Sequence, residues 1–257
     1  MASTGDGPEQ PFQGHTVIVT GAANGIGEAT ARAFAALGAA VVLADISDTD
    51  ELAAELAGRG AEVLPSRTDV TKADRVEEMV ATSIARFGRL DVLVNAAGGF
   101  QRRIPTWEMS DEEWDGVVEL NLKSVFLCSR AVLPAMIERR RGRIVNVASG
   151  AGRTATHVTT SPYSAAKGGV LAFTRHLARE VAPHGITVNA VAPGVTLSPR
   201  IEQVYDDSRR QELEAMVPLG RLARPDDQAG PIVILASAAA AYITGATLDV
   251  NGGRYMF

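Results

Sequence analysis

Seven short runs of β-branched and other apolar residues recur along the chain, and a stretch long enough for a helix separates each from the next. The runs are "HTVIVT" (15–20), "AVVLAD" (40–45), "AEVLPS" (61–66), "LDVLVN" (90–95), "GRIVNVAS" (142–149), "GITVNAVA" (185–192) and "ATLDV" (246–250). The spacing predicts helices near 24–37, 48–58, 71–87, 111–138, 162–182, 200–216 and 226–238. Strands apolar on both faces must be covered on both, and parallel neighbours need long crossovers, which helices supply. The pattern therefore specifies an α/β fold, a doubly wound, seven-stranded parallel sheet with helices on both faces. No repeat, low-complexity tract or linker interrupts it. Residues 13–257 read as one domain behind a disordered leader at 1–12.

Composition narrows the function. The chain has 257 residues, 46% of them hydrophobic and 21% charged, enough for a large core. A net charge of −5 and a pI of about 5.5 speak against a nucleic-acid partner, which needs a basic footprint. The basic run Arg139-Arg140-Arg141 with Arg143 falls at a predicted helix end, where cations complement the dipole. Cys128 is the only cysteine, so no internal disulfide forms and a reducing, cytoplasmic compartment is expected. Inside "SVFLCSRAVL" it reads as a small buried residue. His15, His157, His176 and His184 are scattered without metal-ligand spacing, so no metal is expected. No uninterrupted apolar run reaches the about 18 residues of a membrane span. "MASTGDGPEQPF" lacks the basic start and apolar run of a secretory signal.

After the first strand comes "TGAANGIGEATARAFAALG", with Gly21, Gly25 and Gly27 spaced G-x-x-x-G-x-G. A strand passing through a glycine-rich turn into a helix lets backbone amides approach a diphosphate at the helix N-terminus. The spacing differs from the common G-x-G-x-x-G fingerprint. The second strand ends at Asp45, eighteen residues past Gly27. A carboxylate there accepts hydrogen bonds from an adenosine ribose and repels a 2′-phosphate. No Arg or Lys stands at Ala22, Ala23, Ile46 or Ser47, so NAD is expected rather than NADP.

Two further patterns carry chemistry. Ser110 and Glu113 form a capping box, and Trp114, Val118, Leu122, Val125, Phe126, Leu133 and Ile137 continue as a helical apolar stripe. Asn121 interrupts that stripe. A buried amide has to be hydrogen-bonded, either to a neighbouring carbonyl or to something functional. In "SPYSAAKGG", Ser161 reads as N-cap and Pro162 as the first helical residue, which puts Tyr163 and Lys167 on one face of the first turns. The ammonium and the helix dipole both favour phenolate. The pair is either an activated general acid/base or an interfacial tyrosine beside a surface lysine.

Together these stretches resemble the short-chain dehydrogenase/reductase family over nearly the whole chain. "TGAANGIG" (20–27) is similar to its T-G-x-x-x-G-x-G loop, and "NAAG" (95–98) to its turn after strand four. "NLKSVF" (121–126) resembles the segment bearing its active-site asparagine, "IVNVASGAG" (144–152) the one bearing its serine, and "YSAAK" (163–167) its Y-x-x-x-K pair. "NAVAPGVTLS" (189–198) and the tail from "PLGRLARPDD" to "YITGATLDVNGG" (218–253) resemble later motifs, with Ser198 where the family has threonine.

The resemblance implies a single-domain Rossmann fold and an NAD-dependent oxidoreductase that interconverts a secondary alcohol and a ketone. Tyr163 would be the general acid/base, Ser149 would hold the reacting oxygen, and Lys167 would lower the tyrosine pKa and hold the nicotinamide ribose. Asn121 would relay protons through a bound water. On the cofactor side it implies Gly21, Asn24, Gly25, Ile26 and Gly27 at the diphosphate and Asp45 with Ile46 at the ribose. Asp69 with Val70 would meet the adenine. Asn95, Ala96, Ala97 and Gly98 would run along the cofactor, which Tyr163 and Lys167 also reach. Pro193, Gly194, Thr196 and Ser198 would meet the carboxamide. The pattern also resembles NADPH-dependent 3-oxoacyl thioester reductases. A dinucleotide-binding regulatory protein without turnover is the alternative from another class.

The substrate is expected to lie among 98–107, 150–160 and a lid at 195–216, as a secondary alcohol or ketone of moderate size. Phe100, Trp107, Val158 and Tyr205 offer apolar walls; Arg102, Arg103, Arg153 and His157 offer anion contacts. Ser149, Tyr163, Phe100, Arg153 and His157 are the expected substrate residues. The resemblance further implies a homotetramer packed through the helices at 111–138 and 162–182.

Overall fold

The computed structural model describes residues 10–100, 103–155, 159–198 and 206–257. Its strands are β1 (Thr16–Thr20), β2 (Ala40–Asp45), β3 (Val63–Arg67), β4 (Val92–Asn95), β5 (Gly142–Val147), β6 (Ile186–Pro193) and β7 (Thr247–Val250). They form one parallel sheet in the order β3-β2-β1-β4-β5-β6-β7. The helices are α1 (Gly25–Ala36), α2 (Asp50–Gly58), α3 (Ala73–Phe87), α4 (Asp111–Val118), α5 (Ser124–Glu138), α6 (Ser161–Val181), α7 (Asp207–Ala215) and α8 (Pro225–Ala236).

The period of two along each strand decides which face a side chain covers. Val17, Val19, Val41 and Leu43 point to one face, where Phe34 of α1 and Ile232 and Leu235 of α8 close over them. Ile18, Val42, Leu93 and Ile144 point to the other, against Met79 of α3, Val132 and Met136 of α5 and Leu177 of α6. Covering on both sides is why the runs are apolar throughout. The strand order reverses between β1 and β4, so the loops leaving these two strands diverge and open a crevice at the carboxyl edge of the sheet.

Four details differ from the sequence reading. Phe12, assigned to the leader, is 3% exposed and meets the Phe34 ring edge-on at 4.9 Å, so the domain begins there. Residues 1–9 lie outside the described residues. The N-cap of α6 is Thr160 rather than Ser161, with Pro162 still in the first turn. The helix predicted at 111–138 starts with the Ser110–Glu113 capping box but passes through a π turn at Glu119–Lys123. Of the predicted stripe Val125 is buried but Trp114 and Phe126 stay exposed, and Cys128, Val132 and Met136, which lie outside that stripe, are buried as well. Asp111–Glu138 is also the one stretch among the described residues long and apolar enough to cross a membrane, with a mean hydropathy of 1.3 in its most apolar window. Here its buried residues complete the second face of the core.

Candidate active site

The glycine turn shapes the first half of the crevice. Gly21 (φ +69°) and Gly25 (φ +58°) adopt backbone angles that L side chains rarely reach. A Cβ on Gly27 would lie 1.9 Å from the Gly21 carbonyl oxygen, so α1 packs directly on the turn. The Thr20 hydroxyl accepts hydrogen bonds from the amides of Ala96 and Ala97, both at 3.1 Å, and thereby ties the end of β1 to the end of β4. An open groove of about 460 Å³ runs from this turn past Asp45, Ile46, Asp69 and Val70, along Ala96–Gly98, to Tyr163 and the Thr196–Ser198 segment.

Both Asp45 oxygens are engaged by the backbone: Oδ2 accepts from the Ala23 amide at 3.0 Å and Oδ1 from the Ser47 amide at 2.8 Å. Each retains a further lone pair for a ligand hydroxyl. The register of β2 and β3 sets Arg67 directly beside Asp45, and its Nε donates to the Ile46 carbonyl at 3.3 Å. Burial pushes the Asp69 carboxyl up, but the Thr71 hydroxyl and amide outweigh it and hold the group below its ordinary value.

Tyr163 borders both this groove and a second pocket of about 120 Å³ that also contains Ser149, Phe100, Pro193 and Gly194. The Phe100 ring lies against it, with centroids 5.0 Å apart. Lys167 is 3% exposed, donates to the Val147 carbonyl at 2.8 Å, and sits 5.7 Å from the Tyr163 ring centroid. Burial pushes its pKa down to about 8. The Ser149 Oγ accepts from the Ala151 amide at 3.1 Å, which leaves its proton to donate.

Asn121 is fully buried in the π turn. Its Nδ2 donates to the carbonyls of Gly99 (2.7 Å) and Val117 (2.8 Å), and its Oδ1 accepts from the Gly99 amide (2.9 Å). The open question of its partner is answered by backbone. A Cβ on Gly98 would fall 2.7 Å from the Asn121 Oδ1 and 3.1 Å from the Lys167 Nζ, so only glycine lets the β4 loop lie against both.

Most predicted cofactor residues line the groove, namely Gly21, Asn24, Gly25, Ile26, Gly27, Asp45, Ile46, Asp69, Val70, Ala96, Ala97, Gly98, Tyr163, Thr196 and Ser198. Pro193 and Gly194 border the small pocket instead, and Lys167 lies buried beside the Tyr163 ring. The Asn95 side chain turns into the core, donating to the Asn146 Oδ1 at 2.9 Å. Asn146 in turn donates to the Thr174 hydroxyl at 2.9 Å. Arg153 is a correction. It pairs with Asp249 at 3.2 Å, stacks on the Phe257 ring at 4.4 Å, and borders a different cavity from Tyr163. Arg102, His157, Val158 and Tyr205 lie outside the described residues.

The sequence reading missed Thr20, Arg67 and the C-terminal pair Arg254 and Tyr255, which line the pocket beside Tyr163. The glycines of "NGGRY" were the available signal, since paired glycines mark a sharp turn that folds the chain back.

A protein-family model described as enoyl-(acyl carrier protein) reductase matches residues 21–254. A 3-oxoacyl-[acyl-carrier-protein] reductase of Synechocystis is 42% identical over 93% of this chain and 96% of its own. A cis-4-hydroxycyclohexanecarboxylate dehydrogenase of Sinomonas cyclohexanicum is 43% identical over 95% of this chain and 98% of its own. Among solved structures, the one titled "Crystal structure of gox2181" superposes with a TM-score of 0.92 at 33% identity, covering 96% of this chain and 97% of that one.

Proposed function

The chain belongs to the short-chain dehydrogenase/reductase family, and on that premise we propose that it interconverts a secondary alcohol and a ketone with a nicotinamide dinucleotide. The observation that carries the reading is the position of Tyr163, the one phenol among the described residues that borders both the long groove and the small pocket. A proton-transfer group there stands between a cofactor in the groove and a substrate in the pocket.

The groove suits a dinucleotide. Its turn is closed to any Cβ at Gly27, α1 presents its N-terminus to the diphosphate, and Asp45 keeps lone pairs for ribose hydroxyls. The bound cofactor supplies or accepts the hydride. The remaining work falls to this chain. Tyr163 gives a proton to, or takes one from, the reacting oxygen, and Ser149 donates to that oxygen as charge develops there. Lys167, when protonated, favours the phenolate of Tyr163. Asn121 holds Gly99 and so fixes the floor beside Lys167. A proton relay through its side chain has to use the second lone pair of Oδ1, since both N–H groups are engaged.

For the substrate, the name of the Synechocystis relative supports a 3-oxoacyl thioester, and that of the Sinomonas relative supports a hydroxylated carboxylate. NAD is the proposed cofactor because Asp45 lines the groove. Arg67, set beside it, favours the second reading, NADP. Assembly as a homotetramer stays a proposal from the family, supported by the exposed Trp114 and Phe126 on α4 and α5.

The deciding experiment follows absorbance at the reduced nicotinamide band with 3-oxoacyl thioesters and secondary alcohols, NAD(H) and NADP(H) in parallel. Turnover with NAD that disappears in Tyr163→Phe is the expected result. A clear preference for NADP that reverses in Arg67→Ala transfers the cofactor assignment to Arg67. Bound dinucleotide without turnover of any alcohol or ketone refutes the enzymatic reading.

A further inference from the structure

We propose that Arg254 is a carboxylate-binding residue of the substrate pocket, so that the chain favours alcohols and ketones carrying a carboxylate near the reacting carbon. The inference rests on the hydride-transfer reading above and names the substrate class of that site.

Local geometry presets the side chain. After β7 the chain turns sharply at Asn251, whose Oδ1 accepts from the Gly253 amide and whose Nδ2 donates to the Tyr255 carbonyl, both at 3.0 Å. Gly252 (φ +65°) and Gly253 (φ +83°) supply the left-handed backbone the turn needs. The Tyr255 ring then lies against Gly150, where an added Cβ would be 3.3 Å from it. This turn carries Arg254 into the same pocket as Ser149 and Tyr163.

Charge supplies the second strand of the argument. Arg254 is the only charged residue among the described lining of that pocket. Among the described residues no carboxylate pairs with it. Its guanidinium meets only the Met216 sulfur at 3.4 Å, a weak acceptor, and the Tyr255 ring at 5.3 Å. Arg153 and Arg221, by contrast, each hold an aspartate. Arg254 does not border the long groove, so cofactor phosphates do not account for it. A guanidinium without a carboxylate partner among the described residues, lining the same pocket as Ser149 and Tyr163, is complementary to an anion, and its planar fork matches a carboxylate.

The described part of the pocket, about 120 Å³, has room for a carboxylate and a short arm.

The test compares kcat/KM for two acid and ester pairs, 3-hydroxybutanoate and cis-4-hydroxycyclohexanecarboxylate with their methyl esters, in the wild type, Arg254→Met and Arg254→Lys. A calorimetric titration of butanoate into protein saturated with reduced dinucleotide accompanies it. Arg254→Met is expected to lower the acid value by about tenfold to a hundredfold, the range of a charge-assisted hydrogen bond, while the ester value holds. Arg254→Lys should recover part of the loss. An unchanged acid-to-ester ratio in Arg254→Met, or equal loss for both, overturns the proposal. Where none of these alcohols turns over, the titration decides. Butanoate binding that Arg254→Met abolishes upholds Arg254 even if hydride transfer fails, and absence of binding to the wild type overturns it.

Discussion

Lys167 is an amine enclosed in the core at 3% exposure, and its only hydrogen bond among the described residues is to the Val147 carbonyl. Burial pushes its pKa from 10.5 down to about 8. At about 1.4 kcal/mol for each tenfold change in proton affinity, the buried ammonium costs the native state about 3 kcal/mol. The sign follows from linkage. Below about pH 8 native and unfolded chains both hold the proton, and the cost is fully present. Between about 8 and 10.5 the native chain has released the proton while the unfolded chain keeps it, so stability rises with pH; above 10.5 the cost is gone. Lys167→Met keeps the length of the side chain and removes the titration. Its loss of the Val147 hydrogen bond adds an offset that does not vary with pH. Urea denaturation of both proteins without dinucleotide, at intervals between about pH 7 and about pH 10, isolates the lysine as a difference. The wild type should gain about 2–3 kcal/mol on the variant across that range. A difference that stays flat would falsify the account of Lys167 as a desolvated amine.

Two further perturbations probe the groove. Gly27→Ala places a methyl 1.9 Å from the Gly21 carbonyl oxygen, where the turn cannot retreat without disturbing Ala97. The overpacking should cost about 1–3 kcal/mol in thermal or urea unfolding, and dinucleotide affinity by fluorescence titration should fall by more than tenfold; wild-type affinity would refute the close-approach argument. Thr20→Val leaves the amides of Ala96 and Ala97 without their acceptor. It should cost about 1–3 kcal/mol in urea unfolding, with Thr20→Ser restoring most of the loss, and equal stability of the two variants would show that the hydroxyl ties nothing together.

What the sequence made legible and what it did not divide along a physical line. The sheet was readable because a period of two, apolar on both faces, is a local property of each strand, and each of the seven runs forms a strand. The glycine turn and the Tyr163–Lys167 pair were readable for the same reason, since their geometry is set within a few residues of chain. Asn121 was readable as an anomaly only. Its partners at Gly99 come from a loop 22 residues earlier, and the π turn that aims it leaves no mark in a 3.6-residue periodicity.

Arg153 and Arg254 show the same limit from the substrate side. Arg153 stands four residues after Ser149, and nearness in sequence suggested nearness in the pocket. The short helical turn at Gly150–Gly152 instead leads the chain round to Asp249 and Phe257. Arg254 is more than a hundred residues from Ser149 and reaches it because β7 pairs with β6 and the Asn251 turn doubles back. Arg67 reaches Asp45 through the β2–β3 register in the same way. A parallel sheet gathers at its carboxyl edge the ends of strands that are distant in sequence. The residues proposed above to set cofactor choice and substrate choice are both gathered in this way. The periodicity that reveals a strand does not report which residue beyond its end turns inward, and the placement of Arg254 in the pocket of Ser149 and Tyr163 is therefore a property of the fold that no local pattern encodes.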